Sequence, residues 1–144
     1  MDLVRNKAAV SRDLARAKSK ISMRKRRYVV AVVDDDRSMR RATEDLLHAS
    51  GFATEPFACA EDFLGRTAAT EVDCLLLDIN LGGISGIELR CQIAAAGSKV
   101  PVIFMTAIDD EVICRSALVA GCVAYLQKPF TARQLLDALE KAKH

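Results

Sequence analysis

The sequence predicts an α/β fold: one parallel, doubly wound β-sheet covered by helices on both faces, preceded by a basic extension. Three observations carry this expectation. From residue 28 onward, five short apolar runs alternate with five stretches of helical period. The runs are mostly continuous rather than alternating, as in strands buried on both faces. Glycines at 51, 97 and 121 stand where three of the helical stretches should stop. Strands that alternate with helices are joined by right-handed βαβ crossovers, which makes the sheet parallel.

The first run, Tyr28-Val29-Val30-Ala31-Val32-Val33, is rich in β-branched residues and reads as a buried strand. Asp34, Asp35 and Asp36 follow at once. Met39, Ala42, Leu46 and Leu47 then recur at helical spacing; Asp36 or Ser38 can cap that helix, and Gly51 suits its C-terminal stop. Residues 52–57 form a short strand that Pro56 assigns to a sheet edge. Residues 60–66 form a short helix containing Phe63 and Leu64. The third strand, residues 72–78, runs through Leu75, Leu76 and Leu77 into Asp78, and a loop with Gly82, Gly83 and Gly86 leads to a helix over 87–96. Residues 100–106 are the fourth strand, with Pro101 near its start, where proline is tolerated. Asp109 and Asp110 open a helix carrying Val112, Ile113, Ala117 and Leu118, and their charge suits its positive end. Residues 122–127 are the fifth strand. Lys128-Pro129-Phe130 turns the chain, and Thr131 caps a last helix with Leu135, Leu136 and Leu139 on one face.

The chain has 144 residues, enough for one domain with a real core, and 51% of them are hydrophobic. Its five cysteines (Cys59, Cys74, Cys91, Cys114 and Cys122) are scattered, with no C-x-x-C pair and no histidine at a zinc spacing. They are expected to be small buried hydrophobes in a reducing compartment rather than disulfide or zinc ligands. With no apolar leader and no stretch of membrane-spanning length, a soluble cytoplasmic protein is expected. The charge is divided. Residues 1–27 carry ten Lys/Arg against two Asp, a net +8, whereas residues 28–144 carry eleven against seventeen acids, a net −6. The basic segment shows a helical stripe (Leu3, Lys7, Val10, Leu14, Ala17, Ile21) that makes a weak coiled coil at best, then Arg24-Lys25-Arg26-Arg27. A solvated, partly helical extension is favoured over a patch for nucleic acid, membrane or an acidic partner. Met23 offers a second start of translation.

In a parallel sheet the C-terminal strand ends share one edge, and ligands bind outside it. Four of those ends carry polar groups: Asp34 and Asp35 after the first strand, Asp78 on the third, Thr106 on the fourth and Lys128 after the fifth. Local pattern does not set the strand order. In the flavodoxin-like order 2-1-3-4-5, strands about 4.8 Å apart bring Asp34, Asp35, Asp78 and Thr106 within about 10 Å, and the long stem of Lys128 reaches inward. Carboxylates about 4 Å apart repel by roughly 4 kcal/mol at an effective dielectric of about 20. Protonation relieves that repulsion, and so does a divalent cation. An all-oxygen cluster suits Mg²⁺ or Mn²⁺, and a hydroxyl and an ammonium beside it complete a cradle for a phosphoryl group.

Val33-Asp34-Asp35, Leu77-Asp78-Ile79-Asn80, Met105-Thr106-Ala107 and Lys128-Pro129-Phe130 resemble the motif set of two-component response-regulator receiver domains, over the stretch from about Tyr28 to the C-terminus. Residues 58–64 most resemble the FixJ-type branch. The resemblance supplies the flavodoxin-like (βα)5 strand order 2-1-3-4-5. It implies that Asp78 is the phosphoacceptor, attacking a phosphohistidine on a sensor histidine kinase or phosphotransfer protein. It implies that Asp35 and Asp78 bind Mg²⁺ with the backbone carbonyl of Asn80, while Asp34 orients a metal-bound water. Thr106 and Lys128 would hold the phosphoryl oxygens, Ala107 would leave its entrance open, and Tyr125 would be the aromatic that turns inward on activation. A cis bond before Pro129 is a further family feature. The family's frequent proline four residues after the phosphoacceptor is replaced here by Gly82, which should loosen that loop.

Singly, each of these residues has a plainer explanation: an Asp after a strand caps a helix, a strand-end Thr serves a turn, a Lys is solvated and Tyr125 merely packs. Their convergence on one sheet edge makes coincidence improbable. With no effector domain after residue 144, the expectation is a single-domain regulator that catalyses only its own phosphorylation and dephosphorylation. Its output would be a protein contact across roughly Asp109 to Lys143, with a homodimer as one outcome, or a phosphorelay step in which Asp78 passes the group on. The rivals are a Mg²⁺-dependent phosphatase of the haloacid dehalogenase type, which places a second acid where Asn80 stands, and a nucleic-acid adaptor acting through residues 1–27. A degenerate receiver is disfavoured by the intact acid set.

Overall fold

The computed structural model describes residues 27–66, 71–107, 111–119 and 121–143. Five strands, β1 (Val29–Val33), β2 (Ala53–Phe57), β3 (Cys74–Asp78), β4 (Val102–Thr106) and β5 (Ala124–Gln127), alternate with five helices. The helices are α1 (Arg37–Ala49), α2 (Ala60–Leu64), α3 (Gly86–Ala95), α4 (Glu111–Val119) and α5 (Ala132–Lys143). All strand pairs are parallel, and the order is β2-β1-β3-β4-β5, as expected. β2, the strand with the proline, lies at one edge. The Lys128–Pro129 bond is cis.

Every residue of β1, β3 and β4 is buried, and alternate residues feed two cores. Val30, Val32, Cys74, Leu76, Ile103 and Met105 pack with Leu47 of α1 and Leu135 and Leu139 of α5. On the other face Ala31, Val33, Leu75, Leu77 and Phe104 meet Phe63 of α2, Leu89 and Ile93 of α3, and Ala117 of α4. The period of two along each strand thus explains why continuous apolar runs were needed.

The helix ends follow local chemistry. The Asp36 carboxylate accepts from the Met39 N–H at 3.1 Å and caps α1. Ser85 caps α3, accepting from the Glu88 N–H. Thr131 and Gln134 bond reciprocally at the start of α5, the N–H of each to the side-chain oxygen of the other. Gly51, Gly97 and Gly121 have φ of 91°, 92° and 88°, the left-handed conformation a helix stop requires.

Four expectations need correction. On α1 the buried position is Thr43 rather than Ala42, which is exposed; the Thr43 hydroxyl donates to the Met39 carbonyl, so a polar residue can face the core. On α4 Val112 and Leu118 are exposed, whereas Ala117 is buried. Cys59, Cys74, Cys91 and Cys122 have free thiols, and of these four Cys74 alone is buried. Cys91 sits between Leu89 and Ile93 on α3, and helical geometry turns it outward. Several elements are also one or two residues shorter than expected. The basic stripe over 1–26, and Asp109 and Asp110, lie outside the described residues. Among the described residues no helix is long and apolar enough to cross a membrane.

Candidate functional site

Asp34 follows β1, Asp78 closes β3, Thr106 closes β4 and Lys128 follows β5, so the sheet delivers all four to one edge. Asp34, Asp78 and Thr106 are buried, whereas Asp35 is exposed. One carboxylate oxygen from each of Asp34, Asp35 and Asp78 lies within 4.8 Å of the other two. The Lys128 ammonium reaches inward as expected: Nζ donates to Asp34 Oδ2 at 2.7 Å and to Asp78 Oδ2 at 2.7 Å.

The remaining carboxylate oxygens are held by backbone donors. The Asp36 N–H donates to Asp34 Oδ1 at 2.9 Å, and the Asn80 N–H donates to Asp78 Oδ1 at 2.8 Å. Each buried acid is therefore gripped at both oxygens, which fixes its plane. One ammonium among three carboxylates leaves a surplus of negative charge. Burial pushes the Asp78 carboxyl above its ordinary range; the bonds from Lys128 and the Asn80 N–H oppose this, and Asp34 reinforces it. Burial pulls Lys128 down, but the two carboxylates it bonds outweigh that, and its net shift is upward.

The structure adds contacts that local sequence did not signal. The Asn80 side-chain amide donates to Thr106 Oγ1 at 3.2 Å. Arg40 of α1 donates to the Asp34 backbone carbonyl at 2.7 Å, bracing the loop that presents the acids. Gly86 passes directly over the backbone of Asp78 and Ile79. Glu61, at the start of α2, lies against Gly83 and accepts from the Ile84 N–H at 3.4 Å. The Asn80–Thr106 and Glu61–Ile84 pairs lie 26 and 23 residues apart, so only the closed sheet reveals them. Ala107 is exposed beside Thr106. Tyr125 packs on the core face beside its register partner Phe104, two residues before the Gln127 that pairs with Thr106.

The family profile described as the response regulator receiver domain matches residues 30–140. The chain belongs to the receiver domain family of response regulators. Among curated relatives it is 36% identical to Nodulation protein W of Bradyrhizobium diazoefficiens, over 79% of this chain and 50% of that protein. Among solved structures it is similar to the response regulator StyR, at 42% identity and TM-score 0.71 over 79% of this chain and 58% of that one. It is similar also to FixJ-N, at 30% identity and TM-score 0.74 over 80% and 92%. The FixJ likeness read from residues 58–64 agrees with these relatives. The chain spans about half the length of the curated relatives it matches. As a receiver domain it has the acid cluster of its family, and it lacks the second acid of a dehalogenase-type phosphatase. That position is Asn80, whose amide is engaged with Thr106.

Proposed function

We propose that Asp78 accepts a phosphoryl group from the phosphohistidine of a sensor kinase or phosphotransfer protein, and that the modified protein signals through its α4–β5–α5 face. The observation that carries this reading is the shared grip of Lys128 on Asp34 and Asp78, which puts an ammonium on the phosphoacceptor itself. An oxygen of Asp78 attacks phosphorus, an O–P bond forms, and the P–N bond breaks with its electron pair leaving on the imidazole. The Asn80 N–H and Lys128 keep the attacking carboxylate oriented. Lys128 and the Thr106 hydroxyl then neutralise and bond the phosphoryl oxygens. Ala107 leaves the approach open, and Tyr125 follows Thr106 as it moves.

The cluster fits a hard divalent cation. Its donors are all oxygens, their negative charge exceeds that of the one ammonium, and Asp35 keeps one side open to water. Asp35, Asp78 and the Asn80 carbonyl would hold Mg²⁺ directly and Asp34 through water. The ion would supply charge neutralisation between the carboxylates and the incoming phosphoryl group.

Val112, Leu118, Val119 and Val123 leave apolar side chains exposed on α4 and before β5, within the proposed face, which would take a downstream protein or a second copy of the chain. The free thiols fit a reducing cytoplasm. The test is intact mass after incubation with acetyl phosphate and Mg²⁺. One phosphoryl group should add to the wild type, and none to Asp78→Asn or in the presence of EDTA. A gain retained by Asp78→Asn would refute the assignment.

A further inference from the structure

Asp35 is the one member of the acid cluster whose carboxylate no described residue holds. Asp34 and Asp78 are each bonded at both carboxylate oxygens, whereas Asp35 is exposed and, among the described residues, has no side-chain hydrogen bond or ion pair. It lies beside two buried acids that repel it, yet one of its oxygens stays within 4.8 Å of theirs. Its place is therefore set by its backbone, and both flanking peptides are tied down. The Asp36 N–H donates to Asp34 Oδ1 at 2.9 Å, and the Asp34 carbonyl accepts from Arg40 Nη1 at 2.7 Å. We propose that Arg40 is a positioning residue for the cation site: by fixing the Asp34–Asp35 peptide it keeps the Asp35 carboxylate among the other two, and so sets the affinity for Mg²⁺. This deepens the metal reading given above and rests on it.

Peptide geometry carries the effect. The Asp34 carbonyl and the Asp35 N–H belong to one planar unit, so a donor on the carbonyl fixes the plane through which the chain enters Asp35. Arg40 stands in the first turn of α1, where its own N–H donates to the Asp36 carbonyl at 2.8 Å, and its side chain reaches back six residues to Asp34. The guanidinium is half-buried and, among the described residues, forms no ion pair; the Asp34 carbonyl is its hydrogen-bond partner. Bonds from a charged donor are among the stronger ones. The same charge acts in the opposite sense at longer range, because a guanidinium near a bound cation repels it. The two contributions differ in sign, so the direction of the change on mutation separates them.

The test is titration calorimetry of Mg²⁺ alone into the unphosphorylated full chain, for wild type, Arg40→Met and Arg40→Lys, with the urea midpoint of each. Loss of a residue that orients a metal ligand weakens binding by about 10- to 100-fold, and Arg40→Met should raise the Mg²⁺ dissociation constant by about tenfold. Arg40→Lys keeps a donor on a long stem and should return to within about threefold of wild type. Arg40→Gln, whose amide stops two atoms short of Nη1, should weaken binding as Arg40→Met does, and it carries the test if the methionine variant does not fold. Tighter binding in Arg40→Met would overturn the proposal, since Arg40 would then act by charge alone. An unchanged dissociation constant beside a lowered urea midpoint would overturn it too, because Arg40 would then only support the fold. So would equal weakening in Arg40→Lys and Arg40→Met, which would remove the carbonyl bond from the account. Absence of Mg²⁺ binding by the wild type would refute the metal reading itself, whereas binding that Arg40→Met leaves intact refutes only the role of Arg40.

Discussion

Gly86 crosses the end of β3 so closely that a β-carbon on it would collide with the carbonyl oxygen of Asp78. The obstacle is backbone, which cannot swing aside. Gly86 does not have a positive φ, so an alanine there would suffer steric overlap alone. Overpacking of this kind costs about 1–3 kcal/mol, and Gly86→Ala should fall at the upper end. The urea midpoint reads this. Gly82→Ala, which meets nothing within 4 Å, should stay within about 0.5 kcal/mol of wild type.

Asp35 is exposed while its two partners are buried, which separates binding from folding. Asp35→Asn should leave the metal-free stability within about 0.5 kcal/mol of wild type. Mg²⁺ should raise the Tm of the wild type, and Asp35→Asn should abolish that rise. At ten times the dissociation constant that rise corresponds to about 1.4 kcal/mol. Thermal unfolding with and without Mg²⁺ checks both halves.

Lys128 answers to two buried carboxylates, so its removal has two consequences. Lys128→Met should destabilise the metal-free protein by about 2–3 kcal/mol, the cost of bonds to charged groups left unmade. Mg²⁺ should restore part of that loss. Phosphorylation by acetyl phosphate should slow by about 100-fold, as when an oriented donor is removed from a developing charge. Urea titrations and the time course of the mass gain measure the two effects.

Alkaline conditions should unfold this protein early. Burial pushes the Cys74 thiol from 9.0 up to about 12. The unfolded thiol ionises first, so the folded state loses stability as pH rises through 9 and goes on losing it until about 12. The loss is about 1.4 kcal/mol for each unit in that window. Tyr28 is pushed from 10.0 up to about 12, mainly by burial, and adds to the decline above pH 10. Lys128, raised by its carboxylates, contributes fully below 10.5 and loses that contribution as pH climbs through its higher folded value. Cys74→Val should flatten the fall that begins at pH 9, measured by urea midpoints across pH 8–12.

The loop after Asp78 departs from the family pattern at Gly82. Because the space beside Gly82 is open, Gly82→Pro should fold. It should change the rate at which the phosphoryl group is lost, since the stiffened loop carries Asn80. An unchanged rate, followed by mass, would remove loop mobility from the account.

The fold was legible because strands buried on both faces must be apolar at every position, as β1, β3 and β4 are. The acids and Lys128 were legible because each follows or ends such a strand, and a parallel sheet collects those ends. Thr43 was hidden because its hydroxyl is satisfied within its own helix, which periodicity does not register. Gly86 and the Asn80 amide were hidden for a different reason. Gly86 meets backbone eight residues earlier where the loop doubles back, and the Asn80 amide meets a partner that a crossover brings near, so residue type alone says nothing about either.

The bond from Lys128 to Asp34 joins residues 94 positions apart, one just after the first strand and the other just after the last. The pocket thus comes into being only when β5 has docked on β4. A chain still emerging from the ribosome, or one trimmed back before residue 128, would hold its acids without their counter-charge.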